Sequence, residues 1–304
     1  WVGRPWALHT GFLQSSPDSE WFLGLDADTQ PDPALAAALV KKAAAEGYDL
    51  ISLSPRFILK YPGELWLQPA LLLTLVYRFG PTGTDAEAPE RVMANGQCFL
   101  CRRSVLAEVE GYSSAKGSFC DDVTLARNVA SKGFKVGFLD GARVIKVRMY
   151  EGAMETWREW GRSLDLKDAS SRGQIWNDLW LLLATQGLPL PILSVYLFFF
   201  LGQNTVFSSA SAVPSAVASL AIALPSKLEL IWSFSPSLLL LGLNLFLLAI
   251  RVALCGAIAA SYDLTQAKKP WVFFLSPLAD PLAVLRIFLS ASKSPTQWRG
   301  RKYE

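Results

Sequence analysis

Asp26 and Asp28 stand two residues apart where an apolar run, Trp21-Phe-Leu-Gly-Leu25, stops and a Pro31-Asp-Pro33 turn begins. The run has strand character, and the prolines block its continuation. Two carboxylates therefore sit at the carboxyl end of a buried strand, the edge of an open α/β sheet where ligands bind. At this spacing they can hold a hard divalent cation against a diphosphate. Asp is also a common turn former and helix cap, so the triplet alone equally fits a structural turn. A calcium loop of the EF-hand type fits worse. Counting from Asp26, position six is Pro31 where Gly is needed, and position twelve is Ala37 where Glu is needed.

A second acidic pair, Asp121-Asp122, opens a helix that runs to Gly133. Carboxylates in a first turn suit the helix dipole. Adjacent acids also raise one another's pKa, which suits a proton acceptor. The chain's one histidine, His9, argues against Ser-His or Cys-His catalysis and leaves a carboxylate as the general base. Cys98 and Cys101 form a CxxC with no second pair at zinc-finger spacing, and read as residues of a buried strand. Trp157, Arg158, Trp160 and Arg162 interleave aromatic and basic side chains. They fit either a belt at a membrane surface or a clamp on a diphosphate leaving group.

The elements that must position these residues follow from the pattern. Ala34 to Glu46 reads as a helix ended by Gly47, and Tyr48 to Ser54 as the next strand. This strand-helix-strand unit should add to a mostly parallel sheet. Val92 to Cys101 reads as a strand containing Asn95-Gly96-Gln97, followed by a helix from Arg102 to Glu110 and strands at Phe134 to Phe138 and Val144 to Met149. A helix over Glu151 to Leu166 comes next. Leu65 to Tyr77 is apolar nearly all round yet too short to cross a bilayer. It suits either a buried core helix or one lying in the membrane interface with Trp66 at headgroup depth.

Composition divides the chain. Of 304 residues 51% are apolar, and the mean hydropathy of +0.27 is high for a wholly soluble protein. The excess is concentrated: no charged residue lies between Asp178 and Lys227, or from Leu230 to Ile250. Each run exceeds the roughly 20 helical residues that cross a hydrocarbon core. Residues 1–170 then form a polar α/β domain, and 171–304 a transmembrane or interfacial helical region with a basic tail. Spans are expected at Leu179 to Leu201, Leu238 to Ala260 and Trp271 to Ala291, with a weaker one at Val206 to Leu224. Lys268, Lys269 and the tail Arg299 to Lys302 all ask to be cytoplasmic, which holds if the Trp271 helix is re-entrant or interfacial. The net charge of +3, without a basic patch interleaved with aromatics, argues against nucleic acid.

Taken together, these stretches resemble family 2 glycosyltransferases of the GT-A fold group. Within it they look closest to the membrane-bound branch of ceramide glucosyltransferase-like enzymes and carotenoid glycosyltransferases. The resemblance is carried by Gly3-Arg-Pro-Trp-Ala-Leu8, Asp26-Ala-Asp28, Asn95-Gly96 with Arg102-Arg103, Cys120-Asp121-Asp122 with Leu125 and Gly133, Ser276-Pro-Leu-Ala-Asp280, and Trp298 to Tyr303. It implies an inverting transfer of one sugar from a nucleotide-sugar donor, a UDP-sugar, to a hydroxyl of a membrane lipid or terpenoid such as a carotenoid. Asp26 and Asp28 would bind Mn2+ or Mg2+ and the donor diphosphate. Asp122 would deprotonate the acceptor with support from Asp121, while Arg158, Arg162, Trp157 and Trp160 would face the donor. Asn95, Gly96 and Trp66 would lie on the acceptor side. The catalytic half would face the cytoplasm from an intracellular or cytoplasmic membrane. Two features depart from the family pattern. The Gln/Arg-x-x-Arg-Trp motif is present only as residue types in altered order over Thr156 to Arg162, and the chain opens as if in mid-domain, without the family's first nucleotide-binding strand. The alternatives are a processive polysaccharide synthase and a non-catalytic membrane scaffold with a transferase-like domain.

Overall fold

The computed structural model describes residues 1–160, 164, 166–209, 236–292, 297–298 and 301–302. Arg162, most of the expected span at 206–224 and most of the basic tail lie outside the described residues. α1 (Gly3–Gln14) leads into β1 (Trp21–Leu25) and, across the Asp26 turn, β2 (Thr29–Pro31). α2 (Leu35–Glu46) buries Leu35, Leu39 and Ala43 at i, i+4 and i+8 and ends at Gly47. There a φ of 70°, the left-handed conformation glycine tolerates, turns the chain toward β3 (Leu50–Ser54). β4 (Arg56–Ile58), α3 (Pro62–Phe79), β5 (Cys98–Arg102), α4 (Arg103–Glu108), α5 (Asp121–Ser131), β6 (Val136–Asp140), β7 (Ile145–Val147) and α6 (Gly152–Glu155) complete the polar half.

The first sheet has the order β1-β5-β3-β6. β5 is antiparallel to both neighbours, and β3 and β6 are parallel. β1 and β3 thus point the same way, as their strand-helix-strand unit requires, but β5 is inserted between them and the sheet is mixed rather than mostly parallel. Cys98 to Cys101 are all buried, which suits a central strand covered on both faces. Cys98 and Cys101 belong to core clusters on opposite faces, so they cannot grip one ion. Burial pushes both thiols up to about 12, which leaves them unreactive near neutral pH. β5 begins only at Cys98 because Asn95 to Gln97 form a turn: Asn95 Oδ1 accepts from the Gln97 amide at 2.9 Å.

α7 (Arg172–Leu182), a π-helical turn over Leu183–Gly187 and α8 (Pro189–Ser209) follow, then α9 (Pro236–Ile258) and β8 (Tyr262–Asp263). A 3-10 helix, Pro270–Ala279, runs into α10 (Asp280–Ala291). Among the described residues three segments are long and apolar enough to cross a membrane: Arg172–Phe199, Leu238–Ser261 and Pro270–Ala291. The second sheet, β2-β7-β4-β8, crosses the expected boundary at residue 170, because β8 pairs in parallel with β4.

α3 is apolar nearly all round because it is covered on two sides. Leu65 and Leu73 pack with Val272 and Phe273, and Leu67, Ala70 and Leu71 with Ala279, Ala283 and Ile287. It is a core helix, so the interfacial alternative does not hold. Trp66 packs among these apolar clusters rather than at a surface belt. Its first turn is fixed by the buried Glu64 carboxylate, which accepts from the amides of Tyr61 (3.0 Å) and Gly152 (2.7 Å) and from Arg148. The three apolar segments are joined by one buried polar network. Arg251 of α9 donates from Nε to Asp280 Oδ2 (2.6 Å) and from Nη2 to Asp280 Oδ1 (3.0 Å). Gln186 donates to Asp280 at 3.0 Å and to the Ala70 carbonyl of α3 at 2.9 Å.

Candidate active site

The turn after β1 is closed by Thr29, whose hydroxyl donates to the Asp26 carbonyl at 2.7 Å, while the Asp26 amide donates to the Gln97 carbonyl at 3.2 Å. The two strand ends are thereby held side by side. Asp26 is half-buried, Asp28 is exposed, and both line a cleft of about 1420 Å³. Asp121 and Asp122 open α5 on the same cleft, in a turn where Ser118 Oγ accepts from the Cys120 amide at 3.0 Å. Asp122 accepts from the Gly96 amide through Oδ2 at 2.7 Å and from the Val123 amide through Oδ1 at 2.9 Å. Burial, with a smaller contribution from neighbouring carboxylates, pushes both acids above the usual range even though Arg4 opposes the shift.

Arg4 holds the acidic residues together. Its Nε donates to Asp26 Oδ1 at 3.2 Å, Nη1 to Asp121 Oδ2, and Nη2 to the Gly96 carbonyl at 2.7 Å. One guanidinium fork therefore ties together the turn after β1, the turn before β5 and the start of α5. Spacing gives no signal for such a hub, since its partners lie 22, 92 and 117 residues away. A Cβ at Gly96 would fall 2.0 Å from Arg4 Nη2, so the glycine leaves the fork its room. Arg4→Lys keeps the charge, but its compact ammonium cannot reproduce the planar fork that reaches three separate acceptors from three nitrogens. If the fork orders the site, kcat/KM for the donor should fall about 10–100-fold, the loss of one or two charge-assisted bonds. Steady-state kinetics check this, and an unchanged value would show that the fork does not order the site.

The cleft lining has two chemistries. Arg4, Asp26, Asp28, Asp121 and Asp122 line it together with Asn95 and Gly96. So do Leu72, Leu75 and Phe79 of α3 and Leu254, Ala257 and Ile258 from the end of α9, with Leu75 and Phe79 packed beside Cys120 and Val123. Arg158 and Trp160 also line it; Trp160 is buried with its ring 5.8 Å from Phe57. Trp157 does not line the cleft, because Arg286 holds it elsewhere, donating to its carbonyl at 2.7 Å with the guanidinium 5.8 Å from its ring. Trp66 is likewise not a cleft residue. The Asn95 side chain is engaged with Gln97, accepting from its amide and donating to Oε1 at 3.1 Å.

The donor set at Asp26 and Asp28 fits a hard cation: two carboxylates on one cleft wall, Asp26 Oδ1 also accepting from Arg4. Among the described residues no three His, Cys, Asp or Glu side chains converge on a metal position. A cation here would take its remaining ligands from substrate phosphates and water, the habit of Mg2+. Residues 1–110 match the family model described as Glycosyl transferase family 2, which takes in Arg4, Asp26, Asp28, Asn95 and Gly96 and ends before Asp121. No curated protein matches the chain. The family match supports a glycosyltransferase, an enzyme class that draws on nucleotide-sugar donors.

Proposed function

We propose that this chain is an inverting glycosyltransferase of the membrane-bound family 2 type, moving one sugar from a nucleotide-sugar donor to a hydroxyl of a membrane lipid or terpenoid, a carotenoid-like acceptor included. The observation that carries the reading is the mixed lining of the cleft. Its carboxylates suit a cation-bound diphosphate donor, and its apolar residues come partly from α9, a candidate span. A lipid chain held by the α3 and α9 residues would present its hydroxyl to the acidic side chains.

In this reading Asp122 accepts the proton of the acceptor hydroxyl. The oxygen attacks the anomeric carbon as the bond from that carbon to the phosphate oxygen breaks, and the nucleoside diphosphate leaves from the opposite face with inversion. The Gly96 amide and the α5 N-terminus keep Asp122 oriented, and Asp121, paired to Arg4, supports its position. Arg4 and Arg158 face the growing negative charge on the leaving group. Mn2+ or Mg2+ held by Asp26 and Asp28 would supply further charge neutralisation on the diphosphate. The catalytic half faces the cytoplasm, where nucleotide sugars are found.

Metal removal tests the donor half of this reading. Membranes carrying the protein should release nucleoside diphosphate from UDP-sugar, lose that activity in excess chelator, and regain it with Mn2+ or Mg2+. Full activity in chelator would remove the metal from the mechanism. No consumption of any nucleotide sugar would overturn the transferase reading itself.

A further inference from the structure

We infer, on the membrane reading just proposed, that the third apolar segment, Pro270–Ala291, does not cross the bilayer. It lies along the bilayer surface as the face on which the catalytic half rests. A span must deliver its two ends to opposite sides of about 30 Å of hydrocarbon. Both ends of this segment are instead bonded to the polar half. Just before it, β8 pairs with β4, and the Lys268 amide donates to the Lys60 carbonyl at 2.9 Å. At its other end Arg286 Nε donates to the Trp157 carbonyl at 2.7 Å, and Lys167 Nζ donates to the Ser290 carbonyl at 2.9 Å. Between these ties Phe273 packs on Phe57 and Leu59, and Ala283 and Ile287 on Leu67 and Leu71 of α3. The segment thus runs as one layer along α3, whose Leu72, Leu75 and Phe79 line the cleft. The mixed sheets and charged loops behind α3 cannot sit in hydrocarbon, so a helix lying along them does not either.

The outward face identifies what it meets. Trp271, Phe274, Leu278, Leu282, Leu285 and Leu289 follow at helical spacing and are 39–61% exposed. Such a continuous apolar row is not a surface for water. The exposed Lys268 and Lys269 stand at its start beside Trp271, the cationic and aromatic flank that meets anionic headgroups. The row also continues the lipid-facing character of α8 and α9, where Phe198, Phe199, Leu239 and Phe246 are exposed. The occupant is a lipid leaflet, with α8 and the Leu238 end of α9, the parts that do not pack on α3, entering the bilayer.

The four native cysteines are buried, so an impermeant maleimide reads introduced sites alone. Lys269→Cys and Ser292→Cys, both at exposed positions, bracket the segment; Leu239→Cys reports the far end of α9. In sealed vesicles, quenching the catalytic face should abolish labelling at both 269 and 292 and leave 239 reactive from the other side. A spin label at Leu278→Cys should report headgroup-level depth. Labelling of 269 and 292 from opposite sides, a mid-bilayer depth at 278, or full water access there would each overturn the inference. These readings need no sugar transfer, so they decide topology even where the activity proposal fails. Release of the whole protein by a carbonate wash would overturn the inference together with the membrane reading.

Discussion

Asp122→Asn should lower kcat for sugar transfer about 10²–10⁴-fold while leaving the donor KM nearly unchanged, the signature of a lost general base. Asparagine keeps the shape and can still accept from the Gly96 amide through its carbonyl oxygen. What it loses is the capacity to take a proton. The same residue predicts the acid side of the pH profile. Burial raises the pair above the ordinary carboxylate range, with Asp121 pushed up to about 6. A protonated base cannot accept, so activity is present above the raised pKa and lost as pH falls through it. The acid limb should therefore lie above the usual Asp value of about 3.9. Rate measurements on wild type and Asp122→Asn from acid to neutral pH check both points. A variant with wild-type kcat would remove Asp122 from the chemistry, and a limb at the ordinary Asp value would contradict the buried pair.

The second large effect lies in the apolar half. Arg251→Met leaves Asp280 as an uncompensated buried carboxylate, and breaking a buried pair this way costs about 3–5 kcal/mol. Both side chains are almost fully buried, and Asp280 is shared with Gln186, which also holds the Ala70 carbonyl of α3. Loss of Arg251 therefore loosens three apolar segments and the core helix beneath the cleft together. The paired change Arg251→Met with Asp280→Leu removes both charges, and should recover most of the loss because apolar replacement of a buried pair is often neutral or better. Thermal unfolding followed by tryptophan fluorescence in lipid nanodiscs gives the comparison. Equal destabilisation of the single and double variants would show that packing, rather than the unpaired charge, sets the cost.

The parts of this molecule legible in the sequence are those that local chemistry dictates. A strand that stops at Asp26 between an apolar run and a proline turn must present its carboxylates at a sheet edge. An acidic pair opening a periodic segment must sit at a helix start, as Asp121 and Asp122 do. Gly47 ends α2 because few other residues take that conformation cheaply. What was illegible depends on partners far along the chain. Periodicity shows that Cys98 to Cys101 is a buried strand, but not that it slips between β1 and β3. It shows that α3 is apolar on every side, but not that Pro270–Ala291 covers one of them. The roles of Arg4 and Arg251 were hidden for the same reason: a lone arginine carries no local pattern, and its meaning comes only from the carboxylates that the fold brings to it.

We propose that one sugar passes to a lipid hydroxyl held beside Asp122 in the cleft. The most direct measurement is the mass of the product formed when membranes carrying the protein are incubated with labelled nucleotide sugar and divalent metal, then partitioned between organic solvent and water. A single hexose increment on an organic-soluble lipid, absent with Asp122→Asn, is the predicted result. Label in an aqueous or insoluble ladder of many sugars would contradict it in favour of a polymer synthase.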